Sequence, residues 1–221
     1  MKQWNKKIHG GNEKLFSKSA WVPIKQLIGE KKVLNHPLLH TAFFLILKKH
    51  IPKYKTVLLS LCTATRPYSV GRKWKKYIEE FGNRVDLVVI SNGGIVPKEF
   101  WYSYPFLNYD AGIHEDDALY KKLMYERMMK FFKKHKYDYV VANFSPRQRN
   151  FEPAERSLSK LKADCFIKDY TLVPDQTTYM KAQKQGWVGG RMFPDLHPII
   201  FQKITEYINM FSSKEKRQHE K

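Results

Sequence analysis

Three short apolar runs decide what this chain can fold into. They are Thr56–Cys62 (TVLLSLC), Val85–Ser91 (VDLVVIS) and Tyr139–Asn143 (YVVAN). None alternates polar with apolar residues. A strand of that kind is apolar on both faces, so both faces must be covered. Helical patterns lie between the runs. Gly71–Phe81 carries Trp74, Tyr77, Ile78 and Phe81 at helical spacing and closes on Gly82-Asn83. Glu115–Lys136 opens with acids and ends with bases, the polarity that a helix macrodipole favours. Strands alternating with helices predict an α/β domain: a mostly parallel sheet of about four strands, flanked by helices.

The rest of the chain extends this pattern. Residues 36–50 read as a helix, with Asn35 as N-cap, Pro37 in the first turn and Lys48, Lys49 and His50 at the C-terminal end. Phe151–Lys162 and Asp175–Lys184 read as helices, Cys165–Val173 as a weaker strand and 195–211 as a last helix. The SSKEKRQHEK end is expected to fray. The expected organisation is a basic N-terminal arm (1–35), one α/β domain (36–212) and a charged tail (213–221). Parallel sheets place ligands at the carboxyl ends of their strands. The loops after Cys62, Ser91 and Asn143 are therefore expected on one rim, and 97–114 as an ordered aromatic loop.

Charge narrows the partners. Lys+Arg number 40 and Asp+Glu 21, a formal net charge of +19. That balance favours an anionic partner, nucleic acid first and an anionic membrane surface second. At 43% hydrophobic and 14% aromatic, the chain is too rich in core formers to be disordered throughout. Cys62 and Cys165 stand far apart, with no CxxC and no Cys/His cluster, so no metal site is expected. No cofactor motif is present, and no apolar run reaches membrane-spanning length. The sequence therefore predicts a cytoplasmic protein that works with nucleic acid and has no membrane segment.

Four constellations could carry chemistry. In Leu61–Ser69, a cysteine ends a buried strand and an Arg66-Pro67-Tyr68 turn comes next. Arg66 can offer a planar fork to phosphate or carboxylate, and Tyr68 a ring to a base. Cys62 is either a pocket nucleophile or a small buried hydrophobe. In Ser91–Phe100, Gly93 and Gly94 let backbone N–H groups approach a ligand; an ordinary turn explains them equally. In Tyr104–Asp110, with His114 just beyond, Asp110 can accept from an amine or a base edge. Tyr109 can wall a flat ring. Arg72, Lys73 and Lys75, with Arg147 and Arg149 on the third rim loop, are candidate nucleic-acid contacts, as is the basic face of the 121–136 helix.

Taken in order, these motifs resemble the archaeosine synthase core domain, over roughly residues 36–150. That family modifies 7-cyano-7-deazaguanine in tRNA. Its hallmark is Pro-Cys-x-x-x-Lys-Pro-Tyr-x-x-Ser-x-x-His. Here it reads Leu61-Cys62-x-x-x-Arg66-Pro67-Tyr68-x-x-Gly71-x-x-Trp74. Ile90–Glu99 loosely matches the family's Thr-Ser-Pro-Leu-Gly-Val-Val-Pro-Arg-Glu, and Tyr104-Pro105 and Tyr109-Asp110 keep its pairs. The resemblance implies a uracil-DNA-glycosylase-like core, a tRNA substrate and lysine as the amine added to the nitrile. It implies Asp110 and Cys62 as catalytic candidates and Arg66, Pro67, Tyr68, Ser91, Gly93, Gly94, Pro97 and Tyr109 around the substrate. Transglycosylase-like and PUA-type regions of full-length members do not fit in this chain and are expected on a partner. Gly71 and Trp74 replace two polar groups able to handle protons. Three readings result: a tRNA-modifying transferase, a non-catalytic nucleic-acid-binding subunit, and, by fold analogy alone, a nucleobase hydrolase.

Overall fold

The computed structural model describes residues 29–63, 65–107, 109, 115–186 and 196–219. The elements run α1 (Glu30–Leu34), α2 (Pro37–Lys49), β1 (Thr56–Leu61), α3 (Arg72–Phe81), β2 (Asp86–Ser91), β3 (Gly94–Pro97), α4 (Asp117–Lys134), β4 (Tyr139–Asn143), α5 (Phe151–Ala163), β5 (Asp169–Val173), α6 (Gln176–Lys184) and α7 (Pro198–His219). Single 3-10 turns at Tyr68–Val70 and Lys98–Phe100 come after β1 and β3.

The three apolar runs are the three inner strands. The sheet order is β3-β2-β1-β4-β5. β2, β1, β4 and β5 are parallel, with Leu59 opposite Val88 on one side and Ala142 on the other. Val57, Leu58, Leu59, Val88, Val89, Val140 and Val141 are buried, as strands covered on both faces require. One helical layer holds α2, α4 and α5. The other holds α3 and α7, joined by Phe201 against Tyr77 and Phe81. The chain leaves β1 for β2 on one side and later enters β4 on the other. The carboxyl ends of β1 and β4 therefore flank a topological switch point.

The structure departs from the sequence reading in five places. A fifth strand exists: Gly94–Pro97 turns back antiparallel along β2, pairing Ser91 with Gly94 and Val88 with Pro97. Gly94 has φ 142°, a value that favours glycine and lets the chain reverse there. The N-cap of α2 is His36, whose Nδ1 accepts from Leu38 N–H at 3.3 Å; Asn35 instead caps the end of α1. Cys165 lies just past the end of α5 with φ 60°, and β5 starts only at Asp169. The helix at 117–134 is capped by Asp116, which accepts from Leu119 N–H at 2.9 Å. Finally, α7 continues to His219 rather than fraying after 211. Its later turns are tied to the sheet: Thr56 Oγ1 donates to Glu215 at 2.6 Å, and Lys214 reaches Asp169 at 3.1 Å. Among the described residues no helix is long and apolar enough to cross a membrane.

Candidate functional site

β1 delivers Cys62 to the rim. Its N–H still pairs with Ile90 O at 2.9 Å, so the thiol-bearing residue is held by the last rung of the ladder and remains half-buried. The next turn folds inward. Pro67 and Tyr68 are buried, and the Arg66 guanidinium lies over two phenol rings, 4.6 Å from the Tyr68 centroid and 4.8 Å from that of Tyr109. The two hydroxyls are 3.2 Å apart. Arg66 Nη1 donates to Thr63 O. Burial works against the guanidinium charge, but Tyr68, Tyr109 and Cys62 around it hold its pKa above the usual value. Burial pushes the Tyr68 phenol well up, so it is a neutral donor at any physiological pH. The result is a fixed cation in an aromatic cradle beside a thiol.

The second rim loop packs against the first. A side chain at Gly93 would place its Cβ 2.8 Å from the Tyr109 ring and 3.2 Å from Leu39, so only glycine lets the loop pass there. Ser91 Oγ donates to Gly94 O at 3.2 Å. Pro97 is not at the rim. The antiparallel return of β3 carries it down to the level of Val88, where it lines a cavity of about 440 Å³ with Asp86 and Trp101.

The third loop, after β4, behaves differently from expectation. Arg147 is exposed, over the Tyr179 ring at 5.7 Å. Arg149 turns inward: it pairs with Glu30 and with Asp117 (3.0 Å), and its guanidinium lies 3.6 Å from the Tyr120 centroid. Its charge is therefore matched inside the protein. Lys73 is corrected in the same way. Arg72 and Lys75 face solvent, but the Lys73 ammonium is buried, bonded to Leu61 O at 2.7 Å and Ser60 Oγ at 3.2 Å. Position 73 lies one helical turn before Tyr77 and two before Phe81, on the stripe facing the sheet.

A buried knot that sequence reasoning missed ties these loops together. Glu30, fully buried on α1, accepts from Asn92 Nδ2 at 2.6 Å, from Glu115 N–H at 2.5 Å and from Asp116 N–H at 3.0 Å, besides its pair with Arg149. Arg127, from α4, donates to Asn92 O at 3.0 Å, and its Nη2 has no partner among the described residues. Burial pulls the Arg127 pKa down to about 10. Asn150 donates to Tyr120 Oη, and burial, then the nearby Cys62, pushes the Tyr120 phenol up. One acid thus joins α1, the β2–β3 turn, the start of α4 and the β4–α5 loop.

At the two positions where the hallmark polar groups are replaced, the space is filled in different ways. Trp74 is fully buried, edge-on to Tyr77 and Trp101. A Cβ on Gly71 would sit 3.2 Å from Thr63 Oγ1, so that hydroxyl occupies the space a serine would enter. Asp110 and His114 lie outside the described residues.

Comparison with known proteins bears on this geometry. The family model described as a domain of unknown function, DUF5591, matches residues 45–184, which include all three rim loops. Over 119 residues the chain is 32% identical to archaeosine synthase subunit alpha of Methanosarcina acetivorans. That match covers 51% of this chain and 19% of the relative, so the chain spans about a fifth of the relative's length. Among solved structures, the crystal structure of AF0587, a protein of unknown function, aligns with a TM-score of 0.45 at 20% identity, covering 68% of this chain and 51% of that one.

Proposed function

Because the chain belongs to the DUF5591 family and is a divergent relative of an archaeosine synthase subunit, we propose that it works in tRNA modification and takes a 7-cyano-7-deazaguanine nucleotide of tRNA at the rim. The observation that carries this reading is the meeting of Cys62, Arg66, Tyr68 and Tyr109 at the carboxyl end of β1. An anionic nucleotide needs a cation that is already placed, and Arg66 is held in place by two rings and a carbonyl. The base would have to leave its stack to reach the rim.

The reaction in this reading is addition of an amine across the nitrile. The amine nitrogen bonds to the nitrile carbon, one π bond of C≡N opens, and one proton passes from the amine to the nitrile nitrogen. Nothing leaves, and an amidine results. Arg66 holds the nucleotide's phosphate and so fixes the nitrile against the incoming amine. Asp110, adjacent in sequence to Tyr109, is proposed to take and return the amine proton. Cys62 stands half-buried beside Arg66.

A second reading rests on Gly71 and Trp74. With a core tryptophan and no side chain at these two positions, the chain presents and binds the tRNA while a partner subunit performs the addition. One experiment separates the two. Purified protein is incubated with tRNA carrying the nitrile base and isotope-labelled lysine, and nucleosides are read by mass spectrometry. A labelled adduct that is lost in Asp110→Ala and Arg66→Ala supports the transferase. Binding without an adduct supports the presenting subunit. Neither binding nor an adduct overturns both.

A further inference from the structure

The end of the sheet opposite the rim carries a second feature. Residues just before β1 and β4 form an open cleft of about 430 Å³, lined by Lys48, Lys53, Lys55, Lys134 and Lys136 with Ile51 at its lip. All five lysines are exposed, and Ile51 is 78% exposed. No carboxylate lines the cleft. Elsewhere on the surface, six lysines are matched: Lys121, Lys160, Lys162, Lys168, Lys203 and Lys214 each pair with a carboxylate. Among the described residues, no cleft lysine forms such an ion pair. Glu99, whose carboxyl feels the Lys53 charge, is bonded to His50 at 2.5 Å.

Helix dipoles account for part of this charge. α2 ends at Lys49 and α4 at Lys134, so Lys48 and Lys134 complement carbonyl ends. Lys53, Lys55 and Lys136 lie beyond both helices, where no dipole calls for them. Two helix ends contribute roughly −1 together, against five full positive charges. Glu99 and Asp86 stand beside Lys53, and a surplus of positive charge remains over the other four lysines. Lysines are flexible point charges suited to a repeating polyanion rather than to one fixed ligand.

We propose that this cleft is a second RNA-binding surface, gripping phosphate backbone about 20 Å from the rim, the length of a six-residue strand. The inference rests on the reading that this protein works on RNA, and it goes beyond that reading by placing an anchor remote from the modified base. Such an anchor contributes affinity without sequence preference, because phosphates carry none.

The test uses the full chain, a labelled unmodified tRNA transcript and fluorescence anisotropy between 50 and 200 mM salt, with K53Q/K55Q/K136Q beside the wild type. Each lost phosphate contact should make the slope of log K against log salt shallower by roughly 0.7–0.9, so the triple variant should lose about 2 to 3. The loss should be the same for RNAs of unrelated sequence, and the thermal unfolding midpoint should not fall, since all three side chains are exposed and their loss relieves repulsion. A variant that binds tRNA with wild-type affinity and slope overturns the cleft alone and leaves the rim reading standing; an acidic protein as the true occupant gives this result. A wild-type protein that binds no tRNA overturns both.

Discussion

Glu30 is a buried carboxylate whose partners come from three other parts of the chain. A buried ion pair adds little over a well-packed apolar pair, but breaking one leaves a desolvated charge behind. Glu30→Ala leaves Arg149 paired with the exposed Asp117 and strands two backbone N–H groups. It is expected to cost about 3–5 kcal/mol in urea unfolding, with the double variant Glu30→Ala/Arg149→Met losing less than Glu30→Ala alone. A single variant within about 0.5 kcal/mol of wild type would show that the knot contributes nothing to stability. His135 gives a second test. Burial, then the charges of His50 and Lys134, pull its pKa from 6.5 down to about 4. The unfolded chain therefore binds this proton first as pH falls. The stability of the neutral imidazole is complete above pH 6.5 and is lost between there and about pH 4. Urea titrations at about pH 7 and about pH 4.5 should show wild type losing on the order of 2 kcal/mol more than His135→Gln. Equal losses would remove His135 from the account.

At the scale of elements, the three inner strands were legible because each is a short run that is apolar on both faces, whereas the half-exposed edge strand β5 gave a weaker signal. β3 was not legible. Its four residues, Gly94–Pro97, carry a glycine and a proline, the usual marks of a turn, and only pairing with β2 makes them a strand. Lys73 was misplaced for a readable reason: it shares the stripe of Tyr77 and Phe81, and its charge masked that spacing. The C-terminal helix shows the opposite error. Its polar last turns look solvated, yet Phe211 stacks on Tyr139 with centroids 4.7 Å apart, and Lys214 and Glu215 reach the sheet. Truncation after Met210 removes all three anchors. It is expected to lower the thermal midpoint by several degrees, whereas truncation after Lys216 should leave it within about a degree. Equal midpoints would mean that the end of α7 stabilises nothing.

For the whole molecule, 40 basic against 21 acidic residues mean net self-repulsion in the folded state. Salt should therefore stabilise it. Raising ionic strength from about 0.02 to 0.3 M, where the Debye length shortens past the spacing of surface charges, should raise the unfolding midpoint. A fall would show that the ion pairs outweigh the repulsion. The same salt should weaken RNA binding, so stability and affinity should move in opposite directions along one titration.

The sequence by itself determined what depends on local chemistry: which runs are strands, where the helices lie, that three loops share an edge, and that the charge balance favours an anionic partner. It also held the ordered motifs that carry the family resemblance. Only the tertiary structure decided which charges face outward. Arg149 is drawn inward by an acid 119 positions away, Lys73 by the end of β1, and Arg66 by two phenols, while the cleft lysines hold a surplus of positive charge. The energy of a charge depends on its solvation and on its neighbours in space, and neither is a property of the residues beside it in the chain.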